Sequence, residues 1–309
     1  MVEYDKTSQD KVRLADLLIR RGGMTMQKQI AVVTGTSTGL GLGMTEVLAK
    51  AGWKVYATMR NLEKAGGIHD LQQEGFDIEL LQLDVQAQES IDQAIQTVID
   101  KDGKIDLFIN NAGIGFVKTT EQLTEEEYQN VFDINTFGQI RATKAVLPHM
   151  REQKQGRIVS ISSVGGLVGQ PLNEIYCASK FALEGYYESL ASYITPYFGV
   201  EFMIVEPGGI SSEFVNSIIA DLEKHGGFPK GDYEQVFNDY TGERIGREEG
   251  VFQTPEEVAE VIFEQLNADE LPLRIRTSSW AENFTKFKTE ADPTGRKQRD
   301  YVVSSLLGK

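Results

Sequence analysis

From Ile30 onward the chain alternates short apolar runs with longer amphipathic stretches, and few folds can accommodate that alternation. Residues 30–34, 55–58, 78–83, 107–109, 157–161 and 202–205 are short and rich in β-branched side chains, as strands covered on both faces must be. Each stretch between them is long enough for a crossover helix. Repeated strand–helix alternation predicts a parallel sheet with helices on both faces, and right-handed crossovers make it doubly wound. The expected fold class is therefore α/β, a doubly wound parallel sheet of Rossmann type in a single domain.

Helix boundaries follow from local chemistry. Thr124-Glu125-Glu126-Glu127 and Thr254-Pro255-Glu256-Glu257 are capping boxes, the second with proline at the first helical position. Gly199 is placed to end the helix that begins near Tyr176. Residues 1–28 read as an N-terminal extension and 29–309 as the domain; translation starting at Met24 or Met26 is an open alternative. Within the domain, 207–254 is long for a connection, which suggests a substrate lid. A last strand is expected near 273–276, with an irregular tail after it.

Composition narrows the function. A net charge of −15 over 309 residues argues against general affinity for nucleic acid or anionic lipid. No segment is long and apolar enough to span a bilayer. The single cysteine, Cys177, leaves no intrachain disulfide and fits a reducing cytoplasm; a packed thiol is its expected role. His69, His149 and His225 are dispersed and match no metal-ligand spacing, so no metal is expected.

Two motifs carry chemistry. The first strand runs into Thr34-Gly35-Thr36-Ser37-Thr38-Gly39-Leu40-Gly41. A glycine-rich turn opening a helix lets backbone approach a pyrophosphate and presents free N–H groups at the positive end of the helix dipole. A tight strand–helix turn with no ligand would use glycines too, but the flanking strand and helix favour the phosphate reading. Tyr176 and Lys180 are four apart, so on a helix they share a face. A phenol is a poor base at neutral pH; a nearby ammonium lowers its pKa and suits it to proton transfer at an alcohol or carbonyl oxygen. At the end of the second strand, Ala57-Thr58-Met59-Arg60-Asn61 lacks the acid that would hold a ribose 2′-hydroxyl. Arg60 can instead grip a 2′-phosphate with forked hydrogen bonds, the alternative being an ordinary solvated arginine.

With these motifs, Asn110-Asn111-Ala112-Gly113, Ser163 thirteen positions before Tyr176, Asn135 and Pro207-Gly208 stand in an order that resembles the short-chain dehydrogenase/reductase family across 29–212. Residues 55–60 and the long region after Pro207 resemble its branch of 17β-hydroxysteroid and retinol dehydrogenases. The resemblance implies catalytic roles for Asn135, Ser163, Tyr176 and Lys180: Ser163 binds the substrate oxygen, Lys180 holds the nicotinamide ribose, and Asn135 keeps a water in a proton relay. It implies a cofactor site of Gly35, Thr38, Gly39, Leu40, Gly41, Arg60, Asp84, Val85, Asn111, Ala112, Gly113, Tyr176, Lys180, Pro207, Gly208, Ile210 and Ser212. Asp84 and the Val85 backbone would face the adenine, and Ser212 stands where the family often has a threonine against the cofactor amide.

The expected cofactor is NADP(H) rather than NAD(H), and the expected activity interconverts a ketone or aldehyde with its alcohol. Phe116, Val164, Leu167, Val168, Leu172, Phe214, Val215 and Ile218 are expected to wall the substrate side, which favours a small apolar substrate. Apolar residues on the outer faces of the helices at 124–153 and 176–198 imply a homodimer or homotetramer, as in the family. An acyl-carrier-protein or polyketide-type ketoreductase and a non-catalytic NADP(H) sensor are the competing readings.

Overall fold

The computed structural model describes residues 28–211, 223, 231–244 and 252–307. Its central sheet has seven strands, all parallel, in the order β3-β2-β1-β4-β5-β6-β9. These are β1 (Ile30–Thr34), β2 (Lys54–Met59), β3 (Ile78–Gln82), β4 (Leu107–Asn110), β5 (Gly156–Ile161), β6 (Val200–Glu206) and β9 (Arg274–Arg276). Every expected strand is present, with ends shifted by a residue or two.

The pleat sorts side chains between two cores. Ala31 and Val33 of β1 join Val55, Ala57 and Met59 of β2 in a cluster completed by helices α1 (Gly39–Lys50), α2 (Gly66–Gln73) and α8 (Pro255–Leu266). Ile30, Val32 and Tyr56 point the other way, into a cluster with α3 (Gln88–Asp102), α5 (Gly138–Gln153) and α6 (Glu174–Phe198). Helices therefore cover both faces, as the apolar runs require. Strand order reverses between β1 and β4, and their C-terminal ends open a crevice at that switch point.

Both capping boxes form. Thr124 and Glu127 cap α4 (Glu125–Phe132), Thr254 and Glu257 cap α8, and Gly199 ends α6 in the left-handed conformation.

Two expectations are corrected, the single helix at 124–153 and the irregular tail. The stretch 124–153 is not one regular helix: a π-helical turn over Asp133–Phe137 separates α4 from α5. The lid stretch holds regular structure among its described residues: helix α7 (Glu234–Arg244), and a small ribbon pairing β7 (Gly209–Ile210) with β8 (Phe252–Gln253). The tail after β9 is helical, with α9 (Ser279–Thr289) and α10 (Arg296–Leu307). Ser278 caps α9 by accepting from the Ala281 N–H at 3.1 Å, and Trp280 stacks on Phe284 within it.

Candidate active site

A cleft of about 920 Å³ lies over the C-terminal ends of the central strands. One end of it is the turn from β1 into α1. Gly35 has φ +71°, and a Cβ there would sit 2.9 Å from the Ala112 Cα, so only glycine fits. A Cβ on Gly41 would meet the Gly35 carbonyl oxygen at 2.2 Å, which makes Gly41 the floor of the turn rather than part of the cleft wall. Thr38 is the N-cap of α1, yet its hydroxyl makes no capping bond, and Thr38, Gly39 and Leu40 line the cleft. The uncapped start of α1 suits an anion.

Asn111 holds this turn in place. Its Nδ2 donates to the carbonyls of Thr34 at 2.9 Å and Gly35 at 3.0 Å. The Thr34 hydroxyl in turn accepts from the N–H groups of Asn111 and Ala112. Asp84 and Val85 also line the cleft; the Asp84 carboxylate accepts from the Gln86 N–H at 3.0 Å. Arg60 projects from the end of β2, its carbonyl fixed by Gln82 Nε2 at 3.0 Å. Lys64, four residues on, and Ser37 also line the cleft, and neither was expected. Lys64 was legible in principle, standing four residues after Arg60. Among the described residues Asp84 is the one carboxylate lining the cleft, against Arg60, Lys64 and Lys180, so the cleft is cationic in a strongly acidic chain. Pro207, Gly208 and Ile210 line the opposite wall, while Ser212 lies outside the described residues.

The chemical end is built from three elements. Tyr176 lies in the first turn of α6, and Lys180 lies one turn later with Nζ 5.7 Å from the Tyr176 ring centre. Lys180 is 4% exposed, and its Nζ donates to the Ile161 carbonyl at 2.9 Å. Burial pushes its ammonium down to about 8. Tyr176 is partly buried with one side open to the cleft; desolvation pushes its phenol up to about 12, and a hydrogen bond with Ser163 works against that rise. Ser163 lies two residues after β5 and also accepts from the Gly165 N–H at 3.0 Å. The Ser162 hydroxyl donates instead to Glu184 Oε1 at 2.5 Å, so Ser163 is the serine bonded to Tyr176.

Asn135 comes from the π turn and is fully buried. It accepts from the Ile114 N–H at 2.8 Å and donates to the Ile114 carbonyl at 2.9 Å and to Ser179 Oγ at 3.2 Å. A Cβ on Gly113 would lie 3.3 Å from Asn135 Oδ1 and 3.7 Å from Lys180 Nζ, so the space beside both groups is kept clear. The extra residue of a π turn re-aims side chains, which accounts for Asn135 pointing across at Ile114 from an otherwise regular helix.

Comparison with known proteins places this geometry. The model of the family "short chain dehydrogenase" matches residues 29–223. The chain belongs to the short-chain dehydrogenase/reductase family. It is 38% identical over 272 residues to retinol dehydrogenase 8 of Bos taurus, covering 85% of this chain and 86% of that protein. It is 34% identical over 281 residues to 17-beta-hydroxysteroid dehydrogenase type 1 of Homo sapiens, covering 87% and 83%. A solved short-chain dehydrogenase from Streptomyces avermitilis superimposes with a TM-score of 0.72 at 28% identity, covering 91% of this chain and 99% of that one. The protein is thus an oxidoreductase acting on alcohol or carbonyl groups. A dinucleotide fits this short-chain dehydrogenase/reductase: glycine cradles, an uncapped helix start and a cleared space at Gly113 supply what a bound pyrophosphate and nicotinamide need.

The substrate wall differs from expectation. Val164 lines the cleft, but Phe116, Leu167 and Leu172 are buried in packing and, like Val168, do not line it. Phe214, Val215 and Ile218 lie outside the described residues. Ile114, Val117, Gln170, Asn173, Tyr240, Phe252 and Trp280 line it instead. Asn173 Nδ2 donates to the Tyr240 hydroxyl at 3.0 Å, which lies 3.3 Å from Gln170 Oε1. Part of the wall is therefore polar, formed by residues 67 and 70 positions apart, a separation no local pattern reveals.

Proposed function

We propose that this chain is an NADP(H)-dependent enzyme interconverting a small apolar ketone or aldehyde and its alcohol, with Tyr176 as acid and base. The observation that carries the reading is the convergence of Ser163, Tyr176 and Lys180 at one end of a cleft whose other end is cationic. Bound nicotinamide supplies or accepts the hydride. Ser163 holds the substrate oxygen beside the Tyr176 hydroxyl. In reduction that hydroxyl gives its proton to the oxygen, and the buried Lys180 stabilises the phenolate left behind. Asn135 orders the backbone at Ile114 and keeps the path to Lys180 open. Arg60, with Lys64 beside it, favours NADP(H) by meeting the 2′-phosphate.

Ile114, Val117, Val164, Phe252 and Trp280 favour an apolar substrate body, with Gln170, Asn173 and Tyr240 available to a polar group on it. Phe181, Gly185, Ser189, Tyr193 and Tyr197 form an exposed stripe at four-residue spacing along α6, with small residues that permit close approach, and this supports a homodimer or homotetramer. No helix among the described residues is long and apolar enough to cross a membrane, and the single cysteine suits the cytoplasm.

The test is Tyr176→Phe. It should bind NADPH as the wild type does while carbonyl-dependent NADPH oxidation falls by about 10²–10⁴, the usual contribution of a positioned proton donor. Tight NADPH binding by a wild type that turns over no ketone or aldehyde would favour a sensor and sink the enzymatic reading.

A further inference from the structure

Four charged side chains are buried together at the edge of the sheet next to the chemical end of the cleft. Glu206 is the last residue of β6, Arg274 and Arg276 come from the neighbouring β9, and Glu184 comes from α6, one turn after Lys180. Their exposures are 0%, 9%, 8% and 6%, so none can rely on water. Glu206 and Arg276 are register partners, and Arg276 Nη1 donates to Glu206 Oε2 at 3.1 Å. Arg276 Nη2 reaches the Pro293 carbonyl and Glu282 of α9. Arg274 pairs with Glu188 of α6.

Two oxygens are left over. Glu184 Oε2 and Glu206 Oε1 each lie 3.6 Å from Arg274, too far for a hydrogen bond, and each is buried with no donor. The two carboxyls are within hydrogen-bonding reach of one another. The groups facing Glu184 are Lys180 and Glu188 on its own helix, Ser162 after β5, Glu206 on β6, and Arg274 on β9; Arg276 and Glu282 lie behind Glu206. Four carboxyls thus surround two guanidiniums, and two of those carboxyls are buried side by side. Like charges so placed cannot both ionise cheaply, and one proton between them gives each orphaned oxygen its missing partner. Burial accordingly holds the Glu184 carboxyl well above the ordinary glutamate range and raises that of Glu206.

Glu184 also supports the loop that carries the catalytic serine. Its Oε1 accepts from the Ser162 hydroxyl, and a Cβ on Gly166 would lie 2.7 Å from that same oxygen. The Ser162 N–H donates to the Val205 carbonyl at 2.8 Å, so β5, β6 and α6 are tied at one point.

We propose that Glu184 and Glu206 share one proton at neutral pH, and that Glu184 in its acid form is a positioning residue, seating Ser162 and the Ser163 loop. The role of Glu184 rests on the reading of Ser163, Tyr176 and Lys180 given above; the shared proton does not.

Two measurements on the full chain separate these parts. Infrared difference spectra in light and heavy water at neutral pH should show the carbonyl stretch of a protonated carboxyl, absent from Glu184→Gln, whose amide supplies the donor instead. If the wild type lacks that band, both carboxylates are ionised around Arg274 and the proposal is overturned; a band that survives in Glu184→Gln puts the proton elsewhere and overturns it too. For positioning, Glu184→Ala should lower kcat/KM about tenfold, as expected for an unpartnered buried hydroxyl and a loosened loop, with NADPH affinity held within about twofold. Glu184→Gln, with the acceptor and donor of the neutral acid, should recover most of that loss and keep the wild-type pH profile. A Gln variant as impaired as Ala would show that the loop requires a carboxylate and sink the positioning role. A wild type with no turnover leaves the infrared result standing and refutes the functional reading alone.

Discussion

Replacing Arg60 with alanine should separate the two nicotinamide cofactors. Arg60 is exposed at the end of β2, and its backbone is pinned by Gln82, so its side chain starts from a fixed point on the cleft rim. A charge-assisted hydrogen bond contributes about 1.5–3 kcal/mol, and solvent screening at an exposed site favours the lower end. At about 1.4 kcal/mol per decade, Arg60→Ala should raise the Kd of NADPH about tenfold. Lys64, also exposed and on the same rim, should retain part of the attraction, so the double variant Arg60→Ala/Lys64→Ala should lose roughly another decade. NADH, which has no 2′-phosphate, should change by no more than about twofold in either variant. The assay is fluorescence titration of both cofactors at low and high salt, and the gap between them should narrow as salt screens the contact. Equal losses for NADPH and NADH, or no loss for either, would refute the argument that the rim of β2 selects the phosphate.

Two further outcomes follow from burial and exposure. The buried Lys180 ammonium is held down at about 8 against an ordinary 10.5, so between those values the unfolded chain binds more protons and stability rises with pH; below about 8 the full penalty stands. Lys180→Met should therefore raise the Tm at neutral pH, by more than at pH 10, while abolishing turnover, and a lower Tm would show that the bond to Ile161 outweighs desolvation. The stripe of Phe181, Tyr193 and Tyr197 on α6 should be covered in solution, so light scattering should give a multiple of the 34.4 kDa chain, and a monomer would exclude the proposed assembly.

The sequence alone determined whatever depends on neighbours within about a turn or a strand. The continuous burial of β1 and β2, the capping boxes at Thr124 and Thr254, the left-handed Gly199 cap and the shared face of Tyr176 and Lys180 all arise from residues a few positions apart. The glycine turn was legible for the same reason, since its tight backbone approach demands glycine whatever lies elsewhere. The cap at Ser278 was equally local, and the helix it opens could have been read in place of a loose tail. Spacing to Tyr176 already singled out Ser163; only the tertiary structure showed what occupies Ser162, whose hydroxyl donates to Glu184. Only it turned Asn135 onto Ile114, brought Tyr240 to Asn173, and set Glu206 against Arg276. Those contacts span 21 to 70 residues, and strand register and helix packing, rather than any local pattern, determine which distant side chains meet.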